Sequence, residues 1–238
     1  MRGLFCYSRG MNLLQALRPH RTVPHTSWTA KSRWSLTPMR VFILWFGLSV
    51  FGLGDSLIIQ STLGNAPWSV LGQGIHFHSP LSLGWATFVI SIVVLLGWIP
   101  LKQIPGFGTL SNIVIIAFMI QMGTDIFPME HHNYWIRYAY VFGGIAMVGL
   151  GSALYITCGL GPGPRDGLMT GIHRVTGVRV GRVRLGIEVV ALIIGWSLGG
   201  RVGIGTLCFA LLIGNSVAIW LSVVGHIDQA IHPKNPKG

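Results

Sequence analysis

Leu63-Gly64-Asn65-Ala66-Pro67-Trp68-Ser69 and Leu160-Gly161-Pro162-Gly163-Pro164-Arg165-Asp166 are two versions of one element, set 97 residues apart. Each places a glycine break before a proline. Proline suits the first turn of a helix, because its φ is already helical and its missing N–H has no partner there. The same offset continues on both sides. Gly52-Leu53-Gly54 returns as Gly149-Leu150-Gly151, and Gly74-Ile75-His76 as Gly171-Ile172-His173. Gly84 returns as Gly181, and Gly106-x-Gly108-Thr109-Leu110 as Gly203-x-Gly205-Thr206-Leu207. Shared apolar residues would prove little, since any two apolar helices look alike. Ten of the identities are glycine, proline or histidine, which mark backbone geometry rather than hydrophobicity. The period is an internal duplication.

The composition says where such a chain lives. Of 238 residues, 51% are hydrophobic and 10% charged, with a mean hydropathy of +0.60. Soluble domains carry roughly 25% charged residues, so this chain is too poor in charge to coat a water-facing globule. Disordered chains are poor in apolar residues, which excludes that class as well. A helix needs about 20 apolar residues to span a bilayer core, and six segments approach this: 41–63, 82–100, 108–127, 138–158, 185–200 and 203–225. The fifth spans only if Arg182 and Arg184 sit at its interfacial end and snorkel. The expectation is an all-α polytopic membrane protein of about six transmembrane helices. Residues 41–130 form a first three-helix repeat and 138–225 a second, each with a short broken or re-entrant helix. Residues 1–40 make a basic N-terminal tail without structure, or sequence upstream of a true start at Met11 or Met39, and 226–238 a C-terminal tail.

Net charge is +11, from 17 Lys+Arg against 6 Asp+Glu. That balance raises nucleic-acid binding, but the basic residues cluster at the ends of apolar segments, where they orient helices. With the N-terminus inside and six crossings, the inside segments hold fifteen basic residues. The outside segments hold only Arg137 and Arg201. Both termini are then cytoplasmic, in the plasma membrane, and nucleic acid is not a partner. Three crossings per repeat is an odd number, so the second copy enters from the opposite side and the repeats are inverted. An alternative stays open: if 66–78 and 163–175 also crossed, each half would have four spans and the repeats would be parallel. Their length, near 13 residues, favours the first arrangement.

Asp55 lies inside the first span without a partner at i±3 or i±4. It pairs across helices, holds a proton, or faces a wet cavity. Ser69 and Asp166 stand near the starts of the two short helices, where they could meet exposed amides. Asn65 joins them, and Arg165 could clamp an anion or act as a positive-inside anchor. These five, Asp55, Asn65, Ser69, Arg165 and Asp166, are the candidate substrate or ion ligands. Tight turns between helices explain Gly64, Pro67, Gly161 and Pro164 equally well. Arg184 and Glu188 have the (i, i+4) spacing of an ion pair on one helix face. His76 and His173 are matched across the repeat, which implies a shared place at the end of the short helix. Asn112, Gln121 and Asn215 read as hydrogen-bond partners between helices, and Gly195-x-x-x-Gly199-x-x-x-Gly203 as a packing stripe. No metal-ligand spacing occurs among the histidines, acids and three cysteines, so no metal or cofactor is expected.

Gly64-x-x-Pro67-Trp68, Gly-Pro-Arg-Asp-Gly at 163–167, Ile187-Glu188, Gly195-Trp196 and Gly-Ile-Gly-Thr-Leu at 203–207 carry a resemblance. Over about residues 40–225 the chain resembles the YczE-like integral membrane proteins of bacteria, within the YczE/YyaS/YitT grouping. The resemblance implies a multi-pass plasma-membrane protein of poorly defined activity. It also implies an aspartate after the Pro-Trp pair, where this sequence has Ser69, leaving Asp166 as the surviving copy.

Three functions compete. A small secondary transporter of an unknown small molecule fits the paired broken segments. A non-transporting scaffold or accessory partner would act through the basic stretch 161–184. An intramembrane enzyme fits worst, for want of an acid–base pair, metal set or nucleophile elbow. The expectation is therefore not an enzyme. A protein of this size is also expected to pair with a second copy to enclose a pathway.

Overall fold

The computed structural model describes residues 23–130 and 132–231. The basic leader 1–22, with the alternative start at Met11, and residues 232–238 of the C-terminal tail lie outside the described residues, as does His131. Among the described residues there are eight helices and no strand: α1 (Pro38–Gln60), α2 (Pro67–Phe77), α3 (Leu83–Leu96), α4 (Phe107–Ile126), α5 (Tyr134–Thr157), α6 (Pro164–Thr176), α7 (Val180–Ser197) and α8 (Ile204–Ile231). The second four repeat the first four at the sequence offset.

Four of them, α1, α4, α5 and α8, are long and apolar enough to cross a membrane. The other two segments expected to span fall short for separate reasons. α3 has 14 residues, about 21 Å at 1.5 Å per residue, and runs into turns over residues 97–102. α7 has 18 residues but carries Arg182, Arg184 and Glu188.

The centre of the molecule is α1 against α5, and the two run antiparallel. A methyl group on Gly47 would meet Leu154 Cβ at 2.8 Å, and one on Gly54 would meet Met147 Cβ at 2.7 Å. Rising numbers in α1 thus meet falling numbers in α5. Glycines on both sides, Gly47 and Gly54 against Gly144 and Gly151, let the backbones approach, as small residues do where lipid supplies no hydrophobic drive between helices. α4 then packs on α1, and α8 on α5.

The breaks before α2 and α6 are held by each other's half. Gly64 has φ +113° and Gly161 φ +121°, backbone that only glycine adopts without strain. The residue before each break accepts a hydrogen bond from the far half: Gly205 N–H to Leu63 O and Gly108 N–H to Leu160 O, both 2.8 Å. One bond becomes the other when 97 is added to one residue number and subtracted from the other. Thr109 Oγ donates to Pro162 O at 2.7 Å. The Gly-x-Gly-Thr-Leu repeat is therefore a docking strip for the opposite half's break.

Residues 23–37 form an irregular strap across the ends of several helices, where the sequence reading has a tail without structure. Ser27 Oγ donates to Asp228 at 2.6 Å, Ala30 N–H to Cys158 O at 2.9 Å and Trp28 Nε1 to Thr157 Oγ at 3.2 Å. Arg33 O accepts from Phe107 N–H at 3.2 Å. α8 runs on to Ile231, carrying Asp228 into the fold and out of the tail expected to start at 226.

Candidate functional site

At three of the eight helix starts a side chain caps the free amides. Thr37 accepts from Arg40 N–H at α1, Ser82 from Trp85 N–H at α3, and Asn133 from Trp135 N–H at α5. α2 and α6, like α4 and α7, have no side-chain cap; Ala66 and Gly163 hold their N-cap positions. Their first amides are left without intrahelical acceptors, as at any helix start. Ser69 and Asp166, read from sequence as groups for those amides, turn elsewhere.

Both uncapped starts open on one cavity of about 240 Å³, with Pro67 and Trp68 on one side and Pro164 and Arg165 on the other. Seven pairs of its lining residues are related by the offset, among them Phe51 with Val148 and Ile116 with Ile213. A cavity lined twice over by equivalent positions sits where the two halves meet. The frame is symmetric and the chemistry is not: Trp68 answers Arg165, Ser91 answers Glu188, and Asn112 answers Phe209. The most direct case is the first. The Arg165 guanidinium lies over the Trp68 ring, 4.8 Å from its centroid, so two equivalent positions touch.

Each short helix is tied to the long helix before it by one acid and one hydroxyl. In the first half Ser69 Oγ on α2 donates to Asp55 Oδ2 on α1 at 2.7 Å. In the second half Tyr155 on α5 donates to Asp166 Oδ2 on α6 at 2.6 Å. Ser69 and Asp166 are equivalent positions, so the acid has changed helices between the halves. Tyr155 was not singled out from sequence; an ionisable hydroxyl inside a span, eleven residues before an acid, was the available signal.

Asp55 and Asn65 are both buried, at 3% and 0% exposure, and each keeps one oxygen without a donor. The orientation of the Asn65 amide is fixed from outside. Arg201 N–H donates to Gln73 Oε1 at 2.8 Å, so that oxygen is an acceptor and takes the Asn65 Nδ2 donor at 2.9 Å. Asn65 Oδ1 is then left facing away from Gln73. Of the five candidate ligands, Arg165 and Asp166 line the central cavity, and Asp55, Asn65 and Ser69 do not.

The remaining candidates resolve plainly. Arg184 Nε donates to Glu188 Oε1 at 2.9 Å, an ion pair at the cavity edge with side chains 51% and 32% exposed. His76 and His173 do the same job, each with Nδ1 2.7 Å from a carbonyl five residues on, Leu81 O and Val178 O. A carbonyl cannot donate, so Nδ1 carries the proton, and both rings clasp the turn after their short helix. Asn112 lines the cavity, and Gln121 Oε1 accepts from Gly84 N–H at 3.0 Å. The glycine stripe splits: Gly195 touches the α2 backbone, Gly199 lies in a turn with φ +79°, and Gly203 packs on Leu63.

Comparison with known proteins now fits what the geometry frames. The sequence signature of a family of unknown function, DUF6198, matches residues 38–222. The chain belongs to that family. An uncharacterised protein of Haemophilus influenzae is 41% identical over 214 residues, covering 90% of this chain and 98% of the relative. The uncharacterised membrane protein YczE of Bacillus subtilis is 33% identical over 171 residues, covering 71% and 79%. YyaS of the same organism is 26% identical over 207 residues, covering 84% and 100%. No solved structure matches. The family match begins at the first residue of α1 and ends within α8, so it takes in the cavity and both breaks and leaves the leader outside. With the apolar helices, this relationship makes the chain an integral membrane protein.

Proposed function

We propose that the chain is a small secondary transporter of the plasma membrane, with its substrate site in the central cavity between α2 and α6. One observation carries this: two uncapped helix starts, at equivalent positions of a duplicated chain, open on the same cavity. Many secondary transporters bind substrate where paired broken helices of inverted halves meet, using the free helix ends. In this reading the repeats are inverted and each half crosses three times, with both termini cytoplasmic. The antiparallel packing of α1 on α5 supports the inversion, because equivalent helices that both span must then run in opposite senses. α3 completes the first half as a short span that draws the bilayer thinner, and α7 completes the second by snorkelling Arg182 and Arg184. The chain performs no chemistry of its own, needs no metal or cofactor, and pairs with a second copy through its exposed apolar faces.

Two measurements test this. Phe77 and Arg174 are equivalent and exposed positions on the short helices; single cysteines there label from opposite sides of sealed vesicles. Labelling of both from one side would sink the inversion. In proteoliposomes the wild-type chain drives uptake from a panel of labelled metabolites, and Asp55→Asn loses it. Absence of flux together with a stoichiometric co-purifying protein would replace the transporter with an accessory role.

A further inference from the structure

Resting on the transporter reading, we infer that the ligand of the central cavity is a small organic carboxylate, bound head-on by Arg165 and lying along Trp68. Four charged side chains line the cavity: Arg165, Asp166, Arg184 and Glu188. Arg184 and Glu188 hold each other at 2.9 Å. Asp166 takes the Tyr155 hydroxyl at 2.6 Å. The Arg165 side chain forms no hydrogen bond among the described residues. Its guanidinium rests on the Trp68 face, which satisfies charge and leaves five N–H donors unanswered.

Asp55, Asp166 and Glu188 act on Arg165 through their charge, but none reaches it with a hydrogen bond. Added to the guanidinium are the free amides at the starts of α2 and α6, also donors and at the positive ends of their helices. At Arg165 and the two helix starts the open groups are donors, and an acceptor-only ligand answers them; Asp55 Oδ1 and Asn65 Oδ1, which lack donors, belong to residues that do not line the cavity. A planar oxyanion matches the guanidinium fork in a way a neutral or cationic ligand does not. The rest of the wall sets the ligand's body. Phe51, Trp68, Ile116, Phe209 and Ile213 are apolar, and about 240 Å³ is below the roughly 300–1,000 Å³ of sites for drug-sized ligands. A monocarboxylate with a short apolar body fits; a polyanion would leave charge against Phe51 and Ile213.

The same cavity offers a competing reading, in which a ligand cation displaces Arg165 from the Trp68 face and takes its place among the acids. The test separates the two with a matched pair of probes. Purified full-length protein in detergent is titrated with benzoate, acetate, benzylamine and inorganic phosphate, followed by calorimetry and by thermal stability. Saturable benzoate binding is expected, acetate weaker, and benzylamine and phosphate without effect. Arg165→Lys lowers benzoate affinity by roughly 10-fold, because an ammonium cannot reproduce the fork. Trp68→Phe keeps an aromatic face, so it folds, and weakens benzoate less than Arg165→Lys does. Benzylamine binding in place of benzoate overturns the inference, as does benzoate affinity unchanged in Arg165→Lys, phosphate preferred over both carboxylates, or neither carboxylate binding at millimolar concentration. Benzoate binding without any flux would remove the transporter and leave the carboxylate site. Flux of a substrate without a carboxylate would remove the site's assignment alone.

Discussion

α2 and α6 descend from one element and are held in opposite ways. In the first half, Gly195 of α7 brings its backbone against Val70 and Leu71 of α2, and seven of the eleven residues of α2 are buried. In the second half the equivalent contact is between Trp98, in the turn after α3, and Gly167 of α6. The buried indole fills the space where a Gly167 side chain would lie, and its Nε1 donates to Pro164 O at 2.9 Å. Large and small have exchanged sides at positions 97 apart. An indole between helices keeps them further apart than two backbones in contact, and only three of the thirteen residues of α6 are buried. The looseness extends outward. α3 and α4 pack together, whereas their counterparts α7 and α8 scarcely touch. An apolar hollow of about 550 Å³ opens between α2, α6 and α7, and a second of about 350 Å³ runs from Gly159 and Gly161 to the Tyr155–Asp166 pair.

The difference teaches that the duplication supplied a frame and later changes made its two halves unequal. A transporter with two identical halves would close equally at both ends. Here the first half is closed by backbone contact and the second leans on one side chain, so the second is the half with room to move. The largest expected effect follows from that side chain. Trp98→Ala costs about 3–5 kcal/mol in thermal unfolding in detergent, the range for emptying a buried aromatic position, and it also removes the indole hydrogen bond to Pro164 O. Gly195→Ala costs less, about 1–3 kcal/mol, the range for one methyl group forced against packed atoms, here the Leu71 backbone at 2.4 Å. A Trp98→Ala cost below that of Gly195→Ala would mean that the indole is not what holds the second half, and the comparison would fail.

Most of the frame was readable because it is local. Gly64 and Gly161 need positive φ and Pro67 and Pro164 need a helix start, and those demands are written at single positions. His76 and His173 kept their identity for the same reason. What was not readable depends on residues brought together from far apart. Nothing at position 98 says that its indole replaces a backbone contact made by Gly195. Asp55 has no partner within its own helix, and Ser69 becomes one only after the chain has reversed. The strap at 23–37 was hidden by composition: its basic residues suggested a solvated tail. Its anchors are ordinary Ser27, Trp28 and backbone amides, meeting Asp228 and the end of α5.

The smallest effect concerns the two acid–hydroxyl ties, and it separates the halves by burial alone. Ser69→Ala removes the donor to Asp55 Oδ2, and the other oxygen already has none. Both oxygens of a buried acid are then without a donor, a cost of about 1–3 kcal/mol for stranding a buried group. Tyr155→Phe removes the matching donor to Asp166, but Asp166 is only half-buried and lines two cavities, where water can replace the hydroxyl. That change costs about 0.5–1.5 kcal/mol, the ordinary net value of a hydrogen bond. Phenylalanine keeps the ring that separates the central cavity from the hollow beside Gly161, so any change in flux from Tyr155→Phe comes from the tie and not from a wider opening. Unfolding midpoints of the two variants in one detergent decide the matter. Equal losses would mean that the second tie is as dry as the first, and that the two halves differ in their packing but not in their access to water.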